Sequence, residues 1–225
     1  LTFLSLNMSN IYTVTSNSDF NFISKSYLFD KNKLKLRKNW VESYSKDLDF
    51  SNRLNNYSLL SVGRLELQKD YEYLIKNFNN TDYQIDIVGS GSLENNLKEI
   101  SSDNINFVGK LSYKDLIKFY EKYLFYISST NYEGNPKSIL EAMSRGCIVV
   151  APDLKNTREI ITNGQNGFLY DKKNQNIKDV LDDIFDEKEK LNSISNNALI
   201  SIKKNNSLTQ FIDNEYNDYV EILSK

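Results

Sequence analysis

The sequence predicts an α/β protein built on a doubly wound parallel sheet with helices on both faces. Two observations carry this. From about residue 57 onward, short apolar runs alternate with stretches of helical periodicity, and successive runs end on Gly63, Gly89 and Gly109. The later runs, 124–127 and 148–151, are continuously apolar rather than alternating, which is the pattern of strands buried on both faces of a parallel sheet.

The elements follow in order. Residues 11–15 are β-branched and aromatic and predict a strand; Ser18 and Asp19 are the expected caps of a helix over 20–27. Residues 30–56 are polar, and Lys31, Lys33, Lys35, Arg37 and Lys38 make their first half a basic, solvated stretch that reads as an interdomain linker. A strand over 58–62 ends at Gly63. Tyr71, Leu74, Ile75 and Phe78 recur at helical spacing and predict a helix over 70–78. A strand over 84–88 and a helix over 92–100 come next, then a strand over 105–108. Ser112 and Asp115 form a capping box for a helix whose Leu116, Phe119 and Tyr120 face the core. A strand over 124–128, a helix over 136–145, a strand over 148–151 and a short helix over 157–161 complete the alternation, and 177–223 is helical. The expected organisation is 1–29 as the end of one domain, 30–56 as linker, 57–205 as a Rossmann-like domain and 206–225 as a terminal helix. In such a sheet, ligands sit where strands end and helices begin.

Composition narrows the chemistry. The 225 residues carry 28 Lys+Arg against 30 Asp+Glu, one Cys and no His. Without His there is no Ser-His-Asp or Cys-His relay within these residues, and one Cys supplies neither a thiolate cage nor an internal disulfide. The near-neutral net charge of −2 gives no basic excess for nucleic acid. No apolar run approaches the roughly 18 residues that span a bilayer. Chemistry falls to carboxylates, Lys, Arg, Tyr, hydroxyls and backbone dipoles.

Three segments at strand ends carry candidate ligands. After Gly63 come Arg64, a planar fork for phosphate oxygens, and Lys69, a mobile point charge. Gly89-Ser90-Gly91-Ser92 offers backbone N–H groups to an anion, but Glu94 stands where a dinucleotide fingerprint needs its third Gly. In Glu133-Gly134-Asn135-Pro136-Lys137-Ser138-Ile139-Leu140-Glu141, Asn135 is the expected N-cap and Pro136 the first helical residue. The helix terminus is then open to an anion. Ile139, Leu140 and Met143 are assigned to the core, with Glu141 at the helix margin, where pairing with Lys137 and Arg145 is the structural alternative to a ligand role.

Together these segments resemble the carboxyl-terminal domain of retaining GT-B glycosyltransferases, the large family-four group. The resemblance runs from about Tyr12 to Tyr170. It rests on Gly63-Arg64 with Lys69, on Gly89-Ser90-Gly91, on Phe107 through Leu111, and on Glu133-Gly134 through Glu141-Ala142-Met143. It also rests on Gly146 to Ala151 and on Glu159-Ile160-Ile161 followed by Asn163-Gly164 and Gly167-Phe168-Leu169. Residues 13–16 and the following helix resemble the last unit of that family's amino-terminal domain, and Asn39-Trp40-Val41-Glu42 its linker turn. The resemblance implies a chain that starts near the end of the first domain of a two-domain enzyme.

It further implies hexosyl transfer from a UDP-, GDP- or ADP-hexose to a glycan or lipid-linked acceptor, with retention at the anomeric carbon. Arg64 and Lys69 would hold the donor diphosphate, and Glu133 the hexose hydroxyls. Gly134, Asn135, Pro136, Ser138, Ile139 and Leu140 would frame the donor at the helix start, and Glu141 would contact the ribose. Gly63, Gly89 and Gly91 would line the phosphates, and Gly109, Lys110 and Leu111 the base. No metal or other cofactor is expected, nor nucleic acid. The implied location is the cytoplasm, at the inner face of the membrane, with any membrane contact made by the amino-terminal domain. A GT-B-fold sugar-nucleotide epimerase and a non-catalytic nucleotide-binding module are the competing readings.

Overall fold

The computed structural model describes residues 9–26, 30–42, 50, 53 and 58–224. The remaining parts of the expected 1–29 unit, Tyr27 of the expected first helix, and most of 43–57 lie outside the described residues.

The alternating region folds as expected. Strands β3 (Ser58–Val62), β4 (Gln84–Val88), β5 (Ile105–Gly109), β6 (Phe125–Ile127), β7 (Ile148–Pro152) and β8 (Phe168–Tyr170) form one parallel sheet in the order β5-β4-β3-β6-β7-β8. Each strand sends alternate side chains to opposite faces, and both faces are apolar. Leu59, Ile85, Ile87, Phe125, Ile127, Ile148 and Val150 enter one core layer. Leu60, Val88, Tyr126, Val149 and Ala151 enter the other.

Helices cover both layers. On the first face lie α2 (Tyr71–Phe78), with Tyr71, Leu74, Ile75 and Phe78 buried as the spacing predicts, α3 (Glu94–Glu99) and α6 (Ile177–Asp186). On the second lie α4 (Tyr113–Tyr120) and α5 (Lys137–Ser144). Helix α7 (Lys188–Asn205) reaches both, through Leu191 and Ile194 on one side and Ala198 and Ile202 on the other. Ser112 caps α4 as the sequence predicts, accepting from Asp115 N at 3.2 Å.

The amino-terminal part holds β1 (Tyr12–Val14), α1 (Asn17–Ile23), a 3-10 turn over Lys31–Lys33 and β2 (Leu34–Leu36), with β1 and β2 paired in parallel. Strand β2 thus occupies what the charge pattern marks as linker. The N-cap of α1 is Ser16, not Ser18 or Asp19; its hydroxyl accepts from Asp19 N at 3.1 Å. The terminal helix α8 (Leu208–Leu223) packs beside β2 through Lys35–Glu221 at 2.9 Å and the ion pair of Arg37 with Asp218. Among the described residues no helix is long and apolar enough to cross a membrane.

Two expectations near the sheet edge change. Residues 157–160 are turns and 161 is irregular rather than helical, because the Thr157 hydroxyl donates back to Pro152 O at 2.7 Å and accepts from Leu154 N at 2.9 Å. Strand β8 lies in 162–176, where the sequence reading assigns no element, and it closes the sheet edge.

Candidate functional site

Numbered from β3, the sheet order is 3-2-1-4-5-6, so the direction of winding reverses between β3 and β6. Chain leaving these two adjacent strands diverges and opens a crevice at the carboxyl edge. The loop after β3 brings Gly63, Arg64 and Lys69 there, and the loop after β6 brings Glu133 to Pro136. The two loops are tied together: Ser129 Oγ donates to Lys69 O at 2.8 Å, and Asn131 N to Gln68 O at 2.9 Å. Lys172 adds a clamp from beyond β8, pairing with Asp70 at 2.6 Å and Asn131 Oδ1 at 2.7 Å. Nothing local marks Lys172 in a Lys-rich sequence.

Lys69 and Glu133 form an ion pair across the crevice, with side chains 18% and 9% exposed. The Lys69 stem lies over Gly63, where an added Cβ would stand 3.1 Å from Lys69 Cε and 3.0 Å from the Tyr71 hydroxyl. Arg64 is exposed and enters no ion pair among the described residues. The site therefore holds one cation already matched to a carboxylate and one free to meet an incoming anion.

The glycines separate into two kinds. A Cβ on Gly89 would fall 1.9 Å from Gly63 O, and on Gly91 2.4 Å from Leu65 O. Both glycines let the second loop lie against the first, where Leu65 N donates to Ser90 O at 3.0 Å. Gly109, at φ +81°, and Gly134 have nothing within 4 Å of an added Cβ. These two leave backbone open to an approaching ligand. Lys110 beside Gly109 is exposed and Leu111 is half-buried.

Helix α5 begins at Lys137 with Pro136 as N-cap and no side-chain cap. Asn135 does not cap it: its amide donates to Thr15 O at 2.7 Å, and its carbonyl accepts from Asn39 Nδ2 at 2.9 Å. The helix terminus is nonetheless open, which suits an anion. Ser138 Oγ is held at 2.9 Å by the hydroxyl of Tyr126, which also meets Val62 O at 3.1 Å. Tyr126 thereby links β3, β6 and α5, a role hidden in an aromatic strand. Ile139 and Leu140 are buried.

Glu141 is 7% exposed, buried within α5 rather than at its margin. Its Oε2 meets the Tyr120 hydroxyl at 3.2 Å. Burial raises its carboxyl above the ordinary range, against the pull of Lys137, Tyr120 and Arg145. Asn156, another residue without a sequence signal, braces the Glu133 loop by donating to Glu133 O at 2.6 Å.

Comparison with known proteins gives the family of the chain. The model of the family described as glycosyl transferases group 1 matches residues 46–200. An uncharacterized glycosyltransferase of Haemophilus influenzae is 32% identical over 133 residues, covering 54% of this chain and 37% of that protein. A GDP-mannose-dependent alpha-mannosyltransferase of Corynebacterium glutamicum is 29% identical over 148 residues, covering 66% of this chain and 33% of that one. The chain thus spans about a third of the length of these relatives. Among solved structures, Anabaena HepE in complex with UDP-glucose superposes with a TM-score of 0.82 at 17% identity, over 97% of this chain and 65% of that one.

Proposed function

The chain belongs to the glycosyl transferases group 1 family, of GT-B type, and from that premise we propose that the crevice between β3 and β6 binds the nucleotide-sugar donor of a retaining hexosyl transfer. The observation that carries the reading is the Lys69–Glu133 ion pair beside the uncapped start of α5. A carboxylate in front of an anion-binding helix end repels phosphate unless a cation is matched to it and it has a neutral, hydroxyl-bearing ligand to hold.

In this reading the donor diphosphate enters between Arg64, Lys69 and the N–H groups that open α5. Lys69 exchanges its carboxylate partner for phosphate oxygens, and Glu133 is released to accept hydrogen bonds from hexose hydroxyls. Charge builds on the leaving diphosphate as the glycosidic bond breaks, and two fixed cations and a helix dipole stabilise it, the work a divalent metal does elsewhere. Glu141 Oε1 carries no hydrogen bond among the described residues and takes a ribose hydroxyl. Gly109 and Gly134 give the base and sugar close approach to backbone. The GDP-mannose dependence named for the Corynebacterium relative, and the UDP-glucose complex of the Anabaena structure, support a nucleoside diphosphate hexose. A glycan or lipid-linked acceptor, reached at the cytoplasmic face of a membrane, completes the reading.

Calorimetry of the chain with UDP-glucose, GDP-mannose and ADP-glucose tests it. One of them binds, and Arg64→Ala and Lys69→Ala each weaken binding by about tenfold or more, the size of a lost charge-assisted contact. No binding by a chain that still melts cooperatively overturns the reading. Conversion of the donor's hexose without an acceptor turns it into an epimerase.

A further inference from the structure

The turn between β1 and α1 is seated in a socket made by two residues of the carboxyl-terminal sheet edge. Glu159 Oε2 accepts from Asn17 N at 2.9 Å and Asn17 Nδ2 at 2.8 Å, and its Oε1 accepts from Ser18 N at 3.0 Å. From the other side, Asn135 Nδ2 donates to Thr15 O at 2.7 Å. Ser16, between these contacts, is 1% exposed. Three residues of the turn, Thr15, Asn17 and Ser18, are thus held by partners more than a hundred positions away, and two backbone donors and a backbone acceptor of the turn are matched.

Asn135 also belongs to the donor loop. Its own carbonyl accepts from Asn39 Nδ2, and Asn39 O in turn accepts from Asn206 Nδ2 at 2.8 Å. Asn156 holds the carbonyls of Glu133 and Gly134 just before it. Because Thr15 offers a carbonyl, the Asn135 amide has one allowed orientation, and that orientation leaves its buried Oδ1 without a partner. An unmatched buried acceptor is unfavourable, so a side chain retained in this orientation signals that the tie to Thr15 matters more than local satisfaction.

We propose that Asn135 and Glu159 are positioning residues that couple the amino-terminal turn 15–18 to the donor loop 133–136. The position of the turn sets the position of the loop, and ligand in the crevice tightens the turn. The sense in which a ligand enters rests on the donor-site reading above; the socket itself does not. Neither residue touches the reacting atoms in this account. Reciprocity requires that what stabilises the loop also stabilises the turn.

Amide hydrogen exchange on the full chain, with Glu159→Ala and Asn135→Asp, tests the coupling. Without ligand, Glu159→Ala speeds exchange at Asn17 and Ser18 by roughly tenfold and also speeds it at Ile139 and Leu140, whose N–H groups donate to Pro136 O of the donor loop at 3.1 and 3.2 Å. Asn135→Asp puts a carboxylate oxygen against Thr15 O and speeds exchange at 17 and 18 while amides of the sheet stay unchanged. With saturating UDP, GDP or ADP, whichever binds, the unaltered chain gains protection at 17 and 18 as well as in the loop; in Glu159→Ala the gain at 17 and 18 disappears. Changes confined to 17 and 18 in the Glu159 variant, with the donor loop unmoved, overturn the coupling. A chain that binds no nucleotide defeats the donor-site reading, and the ligand-free arm still decides the coupling.

Discussion

The two glutamates of segment 133–141 differ in what surrounds them, and that difference predicts different behaviour. Glu133 faces Lys69 in an ion pair at the crevice, whereas Glu141 lies buried in α5 with the Tyr120 hydroxyl. Desolvation holds the Glu141 carboxyl above its ordinary range, so the folded state keeps a proton that the unfolded state has released. Stability therefore falls as pH rises from the ordinary carboxylate range through the folded-state value, and the penalty persists at neutral pH. Glu141→Gln removes the charge and keeps an oxygen for Tyr120. Its melting temperature should exceed that of the unaltered chain at pH 7, with the gap closing below about pH 4, where both forms of residue 141 are neutral. A variant that is less stable at pH 7 would show that the carboxylate is a structural partner of Lys137 or Arg145. Donor affinity, measured on the same variant, should fall, since a buried charge that weakens the fold is retained for what it binds.

At the scale of loops and helices, the glycine-bearing segments separate packing from recognition. Gly91→Ala drives a Cβ into the Leu65 backbone, which cannot yield as a side-chain tip can. It should lower stability by about 1–3 kcal/mol, the usual range for overpacking, and lower the melting temperature accordingly. Gly134→Ala meets open space at an ordinary backbone angle and should melt within a degree or two of the unaltered chain, yet weaken donor binding. Equal thermal losses in both would remove the distinction. The same scale shows what the sequence could tell. Strands β6 and β7 were legible because a strand buried on both faces is apolar along its length, β3, β4 and β5 because a short run rich in apolar residues ends on a Gly, and α2 because its buried residues repeat every three or four positions. That the loops after β3 and β6 meet at one edge was legible because in such a sheet every strand ends on the same side. What escaped is non-local. Asn135 looks like a helix cap until Thr15, 120 residues earlier in the chain, claims its amide. Strands β2 and β8 form where β1 and β7 offer an edge to pair with, a partner set by the fold rather than by local sequence. Thr157 reads as helical until its hydroxyl is seen bonding backward to Pro152.

Across the whole molecule, the crevice stands where the two apolar layers meet. Residues Leu59 and Leu60 of β3 enter opposite layers, as do Phe125 and Tyr126 of β6, so the strands that carry the two crevice loops belong to both halves of the core. Helix α7 spans the same division. Opening the site fully then means separating central strands, an event close to global unfolding rather than a local fluctuation. A ligand held between the loops after β3 and β6 should accordingly raise the stability of the entire sheet. At a hundred times its dissociation constant the gain is about 2.7 kcal/mol, or roughly 5–10 °C in melting temperature for a chain of this size. The slowest amides of β3, β4, β6 and β7 should all slow by that one increment in hydrogen exchange. If protection rises only in the loops while the melting temperature stays fixed under saturating nucleotide, the ligand is binding a locally ordered loop and the crevice is not part of the cooperative core.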